Sequence, residues 1–534
     1  MAQPKHEPEY STAQSHPGYP PEPTSSWNEQ HGSDRGAVLC LTAIFLVACL
    51  LLINSLTVYQ GDERYYTDAA IRMIQSGDYL TPYYDDGGPR FLKPILSYWP
   101  LVASFRLFGI NLPASRIPSI IAGCFVVWLT YQLAQVLFRH NGIAALAAAV
   151  LASNGNFLHA SLRARPDIYL CLFVTVSLYG FTCLLFRGAS AYSYACAYLG
   201  SGLAVATKGF PGLLTVAFAS LFCLLRRSND CKLPRLVHLP SIVAGLAIGL
   251  CWFILMYVLH GTTAIQSFYS DQIDDKLAGS AINIIHNGFK YLTSMAGIFS
   301  PWFVIVVLLL MRFDNAATPT LKKFRSECLF SIGWFMTVMV VYLGGMANRN
   351  RYMLPAFPLL ACFIAVMLEP CLRGGIPGRL LYKTLPACLS ALGLIWGTLL
   401  IAFGHRLHSN LMVGGVICLL AASGLFVMTR RSHPLTRVVA IAGFLLLFFT
   451  GHELFTHSVF AVSPVSAWLE TIQREHIDLQ HTAIGTVGIR PTFIGQARIL
   501  SNGRLHFRQL PDDEMSMQTI DYRVLIASEQ FSRQ

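Results

Sequence analysis

From Gly36 onward the chain alternates long apolar runs with short polar stretches. Most runs are roughly 17–22 residues, close to the length a helix needs to cross a hydrocarbon core. They fall at 36–59, 116–138, 142–159, 167–186, 190–206, 210–225, 237–259, 296–312, 328–346, 353–369, 384–403, 410–429 and 437–456. In lipid each backbone N–H and C=O must be satisfied within its own segment, so runs of this kind predict helices, about thirteen of them. The expected fold class is an all-α polytopic membrane protein. Residues 1–35 are rich in Pro, Ser, His, Gln and Gly and nearly free of aliphatic residues, which predicts a disordered tail. After 456 the composition turns polar, with β-prone pieces at Thr482–Ile489, Phe493–Leu500 and Arg523–Ile526 and a turn signal at Asn502-Gly503. These predict a small α/β domain over 457–534, leaving 36–456 as the transmembrane unit.

The first polar stretch, Gly61 to Trp99, is the richest in charge, aromatics and turn residues. Residues Tyr66–Ile74 predict an amphipathic helix with Ala69, Ala70, Met73 and Ile74 on one side. Gly77-Asp78 ends it, and Asp85-Asp86-Gly87-Gly88-Pro89 predicts a turn leading to Lys93. A second short helix is expected from Pro94 to Phe108, with Pro in its first turn.

Composition agrees with this pattern. Of 534 residues, 54% are hydrophobic and 13% charged, against about 25% charged in soluble domains. The net charge of +11 does not point to nucleic acid, because the basic residues sit in short loops at 138–140, 187, 226–235, 312–325, 373–383 and 430–437. By the positive-inside rule these loops and the N-terminal tail are cytoplasmic. Residues 60–115, 160–167, 206–211, 260–295, 346–352, 404–410 and 457–534 then lie on the outer side. The 14 cysteines show no metal-binding spacing, and none falls in 60–115, 260–295 or 457–534. Most are read as small buried apolar residues rather than disulfide partners.

On the outer side, unusual ions gather at helix ends. Asp62 and Glu63 follow the first apolar run, and Lys93 lies in the first loop. Arg163, Arg165 and Asp167 form RARPD, Lys208 sits in ATKGFPG, and Arg349, Arg351 and Tyr352 lie in NRNRYMLP. Ionisable groups at a membrane boundary are costly unless paired or used. Lys93, Lys208 and Arg351 suit an anionic phosphate in a partly dehydrated site. Asp62 suits a general base on an acceptor hydroxyl. An apolar groove beside them would hold a lipid tail, so the pattern fits transfer of a group from a lipid phosphate. Plainer readings stand beside this one. Arg163 and Arg165 can reach toward headgroups, Asp167 can cap a helix, and Glu63 can pair with Arg64. His286, His405 and His408 read as solvated loop residues, and His452-Glu453 alone is too little for a metal site.

The motifs go further. GDERYYTDAAIRMIQSGDYLTP followed by RFLKPILSYWPLVASFRLFG resembles the bacterial glycosyltransferase family 39 proteins, the aminoarabinose transferases of lipid A modification above all. ATKGFPG resembles their TKG loop, Ser300–Phe303 (SPWF) their SPW element, and NRYMLPAFP their RYxLP-like segment. The resemblance spans roughly residues 37–456. It implies a GT-C fold with thirteen transmembrane helices, juxtamembrane helices in the first periplasmic loop, and a periplasmic C-terminal domain. It implies a polyprenyl-phosphate-linked sugar donor, such as one carrying 4-amino-4-deoxy-L-arabinose. The acceptor would be lipid A or another envelope molecule, in a bacterial inner membrane. Carried over by motif, Asp62 is the essential acidic residue. Lys93, Lys208 and Arg351 look like donor-phosphate ligands, Asp167 like the acidic residue of the second outer loop, and Tyr352 like a wall of the same site. Glu63 joins the substrate-binding set. Where the family often reads EKP, this chain has Leu92-Lys93-Pro94, one carboxylate fewer. A divalent metal is compatible with such a site, although no ligand set is read from the sequence. Competing readings are transfer to protein Ser/Thr and a transporter or flippase of lipid-linked sugars. Transporters often carry inverted repeats and midplane charges, whereas no repeat is evident here and the charges gather at one boundary.

Overall fold

The computed structural model describes residues 26–56, 61–84, 87–226, 233–271, 281–312, 318–343, 349–372, 383–407, 409–431, 434–460, 464–474, 483–487, 491–509 and 524–527. The disordered-tail expectation for 1–25 lies outside these residues, and 26–35 are helical instead. Helix α1 runs Ser26–Leu51 and stops short of the expected Tyr59. Its end is held from a distance. The fully buried Arg116, on α4 (Leu112–Phe138), donates to the carbonyls of Leu52, Ile53 and Ser55 at 3.1, 2.7 and 2.8 Å. The guanidinium thus serves three carbonyls of the turn that follows the helix, where the regular backbone ladder has ended. The chain then enters α2, Gly61–Ser76, which is longer than its apolar face alone predicts and buries Ala69, Ala70, Ile71 and Met73.

The second expected helix is divided. A 3-10 turn covers Ile95–Ser97, and α3 begins afresh at Trp99 and runs to Phe108. Pro100 lacks the N–H that would continue the earlier turn, so the helix restarts around it. The run expected at 142–159 is also broken, into α5 (Asn141–Ala152) and α6 (Gly155–Ser161), bent by 69°. At the bend the Asn154 side chain accepts from the Phe157 N–H at 3.0 Å, an N-cap that starts a new helix direction. Helices α7 (Pro166–Phe186) and α8 (Ala191–Lys208) form a close hairpin. A Cβ on Gly180 would meet the Ala197 nitrogen at 2.2 Å, so only glycine permits that approach.

Farther on, the expected run 296–312 is the corner of two helices, Ala281–Ile298 and Trp302–Arg312, which meet at 100°. The SPWF element occupies this corner, where the Trp302 indole donates to the Ser153 hydroxyl at 2.8 Å. A 3-10 segment, Asn350–Ala356, leads into the helix Phe357–Leu372. The span made by the two is the most enclosed of the seven unbroken candidate spans among the described residues. Among the described residues, seven helices are long and apolar enough to cross a membrane, or nine if each bent pair is one span. Four shorter apolar helices accompany them. The protein is multi-pass and mostly helical.

Beyond the bundle lie helices Pro464–Arg474 and Pro491–Leu500 and three strands, β1 (Ala483–Val487), β2 (His506–Gln509) and β3 (Val524–Ala527). The strands are parallel in the order β2-β1-β3. Phe493–Leu500, expected as β-prone, is helical. Ile494, Ala497 and Arg498 are buried at helical spacing, and that face decides the conformation. The helix docks on α2, where the Arg498 guanidinium, fully buried, lies 3.5 Å from Asp68.

Candidate functional site

Five separate chain segments meet at one end of the bundle around a cavity of about 370 Å3. Its charged lining residues are Asp62, Arg90, Lys93, Arg165, Asp167, Lys208, Asp271, Arg349 and Arg351, with the rings of Tyr65, Tyr66, Tyr84 and Tyr352 among them. Helix ends supply two of the ions. Asp167 lies in the first turn of α7 and Lys208 in the last turn of α8, each where the helix dipole favours its sign. The Lys208 ammonium donates to Asp167, and both side chains are under one-tenth exposed. Arg165 stands 3.9 Å from the other Asp167 oxygen. Gly209 ends α8 with φ of 79°, and a Cβ there would meet the Phe268 ring at 2.5 Å. Glycine at this position lets the lysine end its helix against the cavity wall.

Lys93 arrives from the loop between α2 and α3. Its ammonium donates to Asp271 at 2.6 Å and to the Leu92 carbonyl at 2.8 Å. The loop is tied to α8 by the Ser97 hydroxyl, which donates to the Thr207 carbonyl at 2.6 Å. Asp62, in the first turn of α2, accepts from Arg349 at 2.9 Å and from Arg351. Burial pushes its carboxyl pKa up. Arg351 first, then Arg349 and Arg165, outweigh burial and hold it below the ordinary 3.8. Tyr352 lies in the same wall. The Lys208 ammonium is 5.0 Å and the Arg351 guanidinium 5.5 Å from its ring centre, and Tyr342 stacks on it at 5.1 Å.

Six of the seven residues singled out from sequence therefore line one cavity: Asp62, Lys93, Asp167, Lys208, Arg351 and Tyr352. Glu63 does not. It is fully buried on another face of α2, where its Oε2 accepts from the Ala164 N–H at 3.1 Å and fastens α2 to the RARPD segment. Sequence reasoning missed Arg90 and Asp271 as site residues. Arg90 had one available signal, a concentration of tyrosines around it in the first polar stretch. Asp271 had only its place in an outer polar segment.

The six cations against three carboxylates leave the cavity three positive charges in excess. Among the described residues no group of three His, Cys, Asp or Glu side chains assembles as a metal site. The three cavity carboxylates face ammonium or guanidinium groups, and Leu92 lines the wall where the related motif offers a carboxylate. The described residues thus do not fit a divalent ion. A second cavity of about 240 Å3 lies across the Arg165–Arg349–Arg351 wall and adds Arg163, Asn156 and Asn350.

Comparison with known proteins shows where the fold recurs. The crystal structure of ArnT from Cupriavidus metallidurans bound to undecaprenyl phosphate superposes with a TM-score of 0.71 at 19% identity, covering 96% of this chain and 91% of that one. Residues 37–265 match the dolichyl-phosphate-mannose-protein mannosyltransferase family. The chain thus shares its fold with that structure and resembles that family over its N-terminal part. Among sequence relatives, an uncharacterized protein of Aquifex aeolicus is 27% identical over 312 residues, 58% of this chain and 60% of that protein. An undecaprenyl phosphate-alpha-4-amino-4-deoxy-L-arabinose arabinosyl transferase of Pseudomonas fluorescens is 25% identical over 325 residues, 60% of this chain and 56% of that protein. The match thus spans under two thirds of the length of either relative.

Proposed function

We propose that the protein is a bacterial inner-membrane glycosyltransferase that moves a sugar from a polyprenyl-phosphate donor to lipid A or another anionic envelope acceptor on the periplasmic side. The observation that carries this reading is the cavity itself, where Lys93, Lys208 and Arg351 converge on one space with Asp62 and three charges in excess. In the reaction, an acceptor oxygen attacks the anomeric carbon and the bond from that carbon to the phosphate oxygen breaks. The electron pair leaves on the polyprenyl phosphate. Cations preorganised around that phosphate stabilise the charge that develops on it. Tyr352 carries two of them, Lys208 and Arg351, against its face.

Each of the three cations has a carboxylate partner, so the donor phosphate enters by exchange. As it takes up Arg351 and Arg349, Asp62 loses two of the three groups that depress its proton affinity, and it becomes the base for an acceptor hydroxyl. A phosphate acceptor, already ionised, needs no base, and Asp62 then positions it. The second, arginine-walled cavity favours an anionic acceptor over the neutral Ser/Thr hydroxyl of a protein. Related transferases named for 4-amino-4-deoxy-L-arabinose make that sugar the first to test.

The test is a reconstituted assay with polyprenyl-phosphate sugars and lipid A, read by mass spectrometry, beside lipid A and envelope glycans from a deletion strain. A sugar-bearing product and free polyprenyl phosphate are expected. Translocation of the lipid-linked sugar across liposomes without transfer would establish a flippase instead, and glycosylated protein with unmodified lipid would establish the Ser/Thr reading.

A further inference from the structure

Arg90 differs from every other cation of the cavity. Its residue is 5% exposed, its side chain lines the cavity, and its Nε has no hydrogen-bond partner. Lys93, Lys208, Arg349 and Arg351 each donate to a carboxylate, and Arg165 lies near Asp167. Among the described residues, no carboxylate lies within ion-pair distance of Arg90. Four tyrosines surround it. Its guanidinium carbon is 5.5, 5.1, 5.6 and 5.9 Å from the ring centres of Tyr65, Tyr66, Tyr84 and Tyr98, and one Nη donates to the Tyr98 hydroxyl. The backbone is set as firmly. The Arg90 N–H donates to the Pro82 carbonyl at 2.7 Å, and Tyr83 bridges Pro89.

Ring faces attract a cation without neutralising it. A buried guanidinium kept charged by π-faces retains its capacity for an oxyanion, whereas its neighbours must first give up a carboxylate. Tyr65, Tyr66 and Tyr84 line the cavity with it, so the cage is a wall of the substrate space and not a remote support.

We infer that Arg90, held in its tyrosine cage, is an oxyanion-binding and specificity-determining residue of the donor site. This rests on the donor reading above. The shared chemistry is a charge-assisted hydrogen bond from a planar guanidinium to an anionic oxygen, and the donor offers two sources of one. These are the lipid phosphate and a carboxylate on the sugar, as in a uronic acid.

Binding is measured on the full-length protein in nanodiscs with three probes: sugar-free polyprenyl phosphate, a polyprenyl-phosphate neutral hexose, and a polyprenyl-phosphate hexuronic acid. Arg90→Gln and Arg90→Met remove the charge and leave polar and apolar fillings of the cage, so one poorly folded variant does not decide the matter. Arg90→Lys keeps the charge. A loss of about ten- to a hundredfold for all three probes, largely restored by Arg90→Lys, assigns Arg90 to the phosphate. A loss of that size confined to the hexuronic acid donor assigns it to the sugar carboxylate. Unchanged binding of every probe overturns the inference, whatever the melting temperature does. So does an equal loss in Arg90→Met and Arg90→Lys, which would reflect packing and not charge. Wild-type protein that binds none of the probes overturns the donor reading, and this inference with it.

Discussion

The pair between Lys208 and Asp167 allows the ligand reading to be separated from the structural one. Both side chains are under one-tenth exposed, at 8% and 7%, and they meet across two helix ends. Replacing Lys208 by Met removes one charge and leaves the other buried. Breaking such a pair typically costs about 3–5 kcal/mol. Arg165, 3.9 Å from Asp167, still offers a counter-charge, so the lower end is expected, about 3 kcal/mol. Asp167→Leu combined with Lys208→Met replaces the pair by apolar side chains, a change that is often near neutral. Stability of the double variant should therefore return to within about 1–2 kcal/mol of wild type. Transfer should not return. If the Lys208 ammonium also holds the donor phosphate, losing it costs one charge-assisted hydrogen bond, about 1.5–3 kcal/mol or roughly ten- to a hundredfold in rate. Thermal unfolding and transfer measured on the same purified samples provide both axes. Recovery of transfer together with stability in the double variant would refute the ligand role, as would a wild-type rate in Lys208→Met alone.

Asp62→Asn should fold and still bind polyprenyl phosphate but lose transfer by about 10²-fold or more, and near-normal transfer would remove the base. Its pH dependence has a definite sign. The folded-state pKa is depressed by Arg351 and Arg349, so the stability from this pairing is present above the unfolded value near 3.8 and disappears as pH falls through the lower folded value. Accordingly kcat/KM, which reports the free protein, should show no acid limb from Asp62 above about pH 4, while partner exchange in the donor complex should place such a limb in kcat. A limb in kcat/KM near neutrality that Asp62→Asn abolishes would contradict the arginine pairing. Gly209→Ala should destabilise by about 1–3 kcal/mol in thermal unfolding, because the left-handed backbone and the Phe268 ring both oppose a Cβ. For the proposed orientation, reporter fusions after Lys322 should read as cytoplasmic and those after Arg474 as periplasmic, and the reverse pattern would put the cavity in the wrong compartment.

The membrane-spanning character was legible because it depends on local quantities, the length and apolarity of each run. The site residues were legible one at a time for a related reason: an ion at a membrane boundary is costly, so Asp62, Lys93, Asp167, Lys208 and Arg351 each stood out against their surroundings. Their partners were not legible. Asp62 and Arg351 are separated by 289 positions, and Lys93 and Asp271 by 178, so only the packing of distant helices pairs them. Breaks inside the apolar runs were lost for the same reason. Asn154 and Pro100 are weak marks in sequence, and they bend the chain only where neighbouring helices accept the new direction. Glu63 shows the limit most plainly. Consecutive residues on a helix point about 100° apart, and here Asp62 faces the cavity while Glu63 turns away from it. Which one faces it depends on the rotation of α2, and that rotation is set by the Ala164 N–H against Glu63 in its first turn and by Arg498 against Asp68 at its middle.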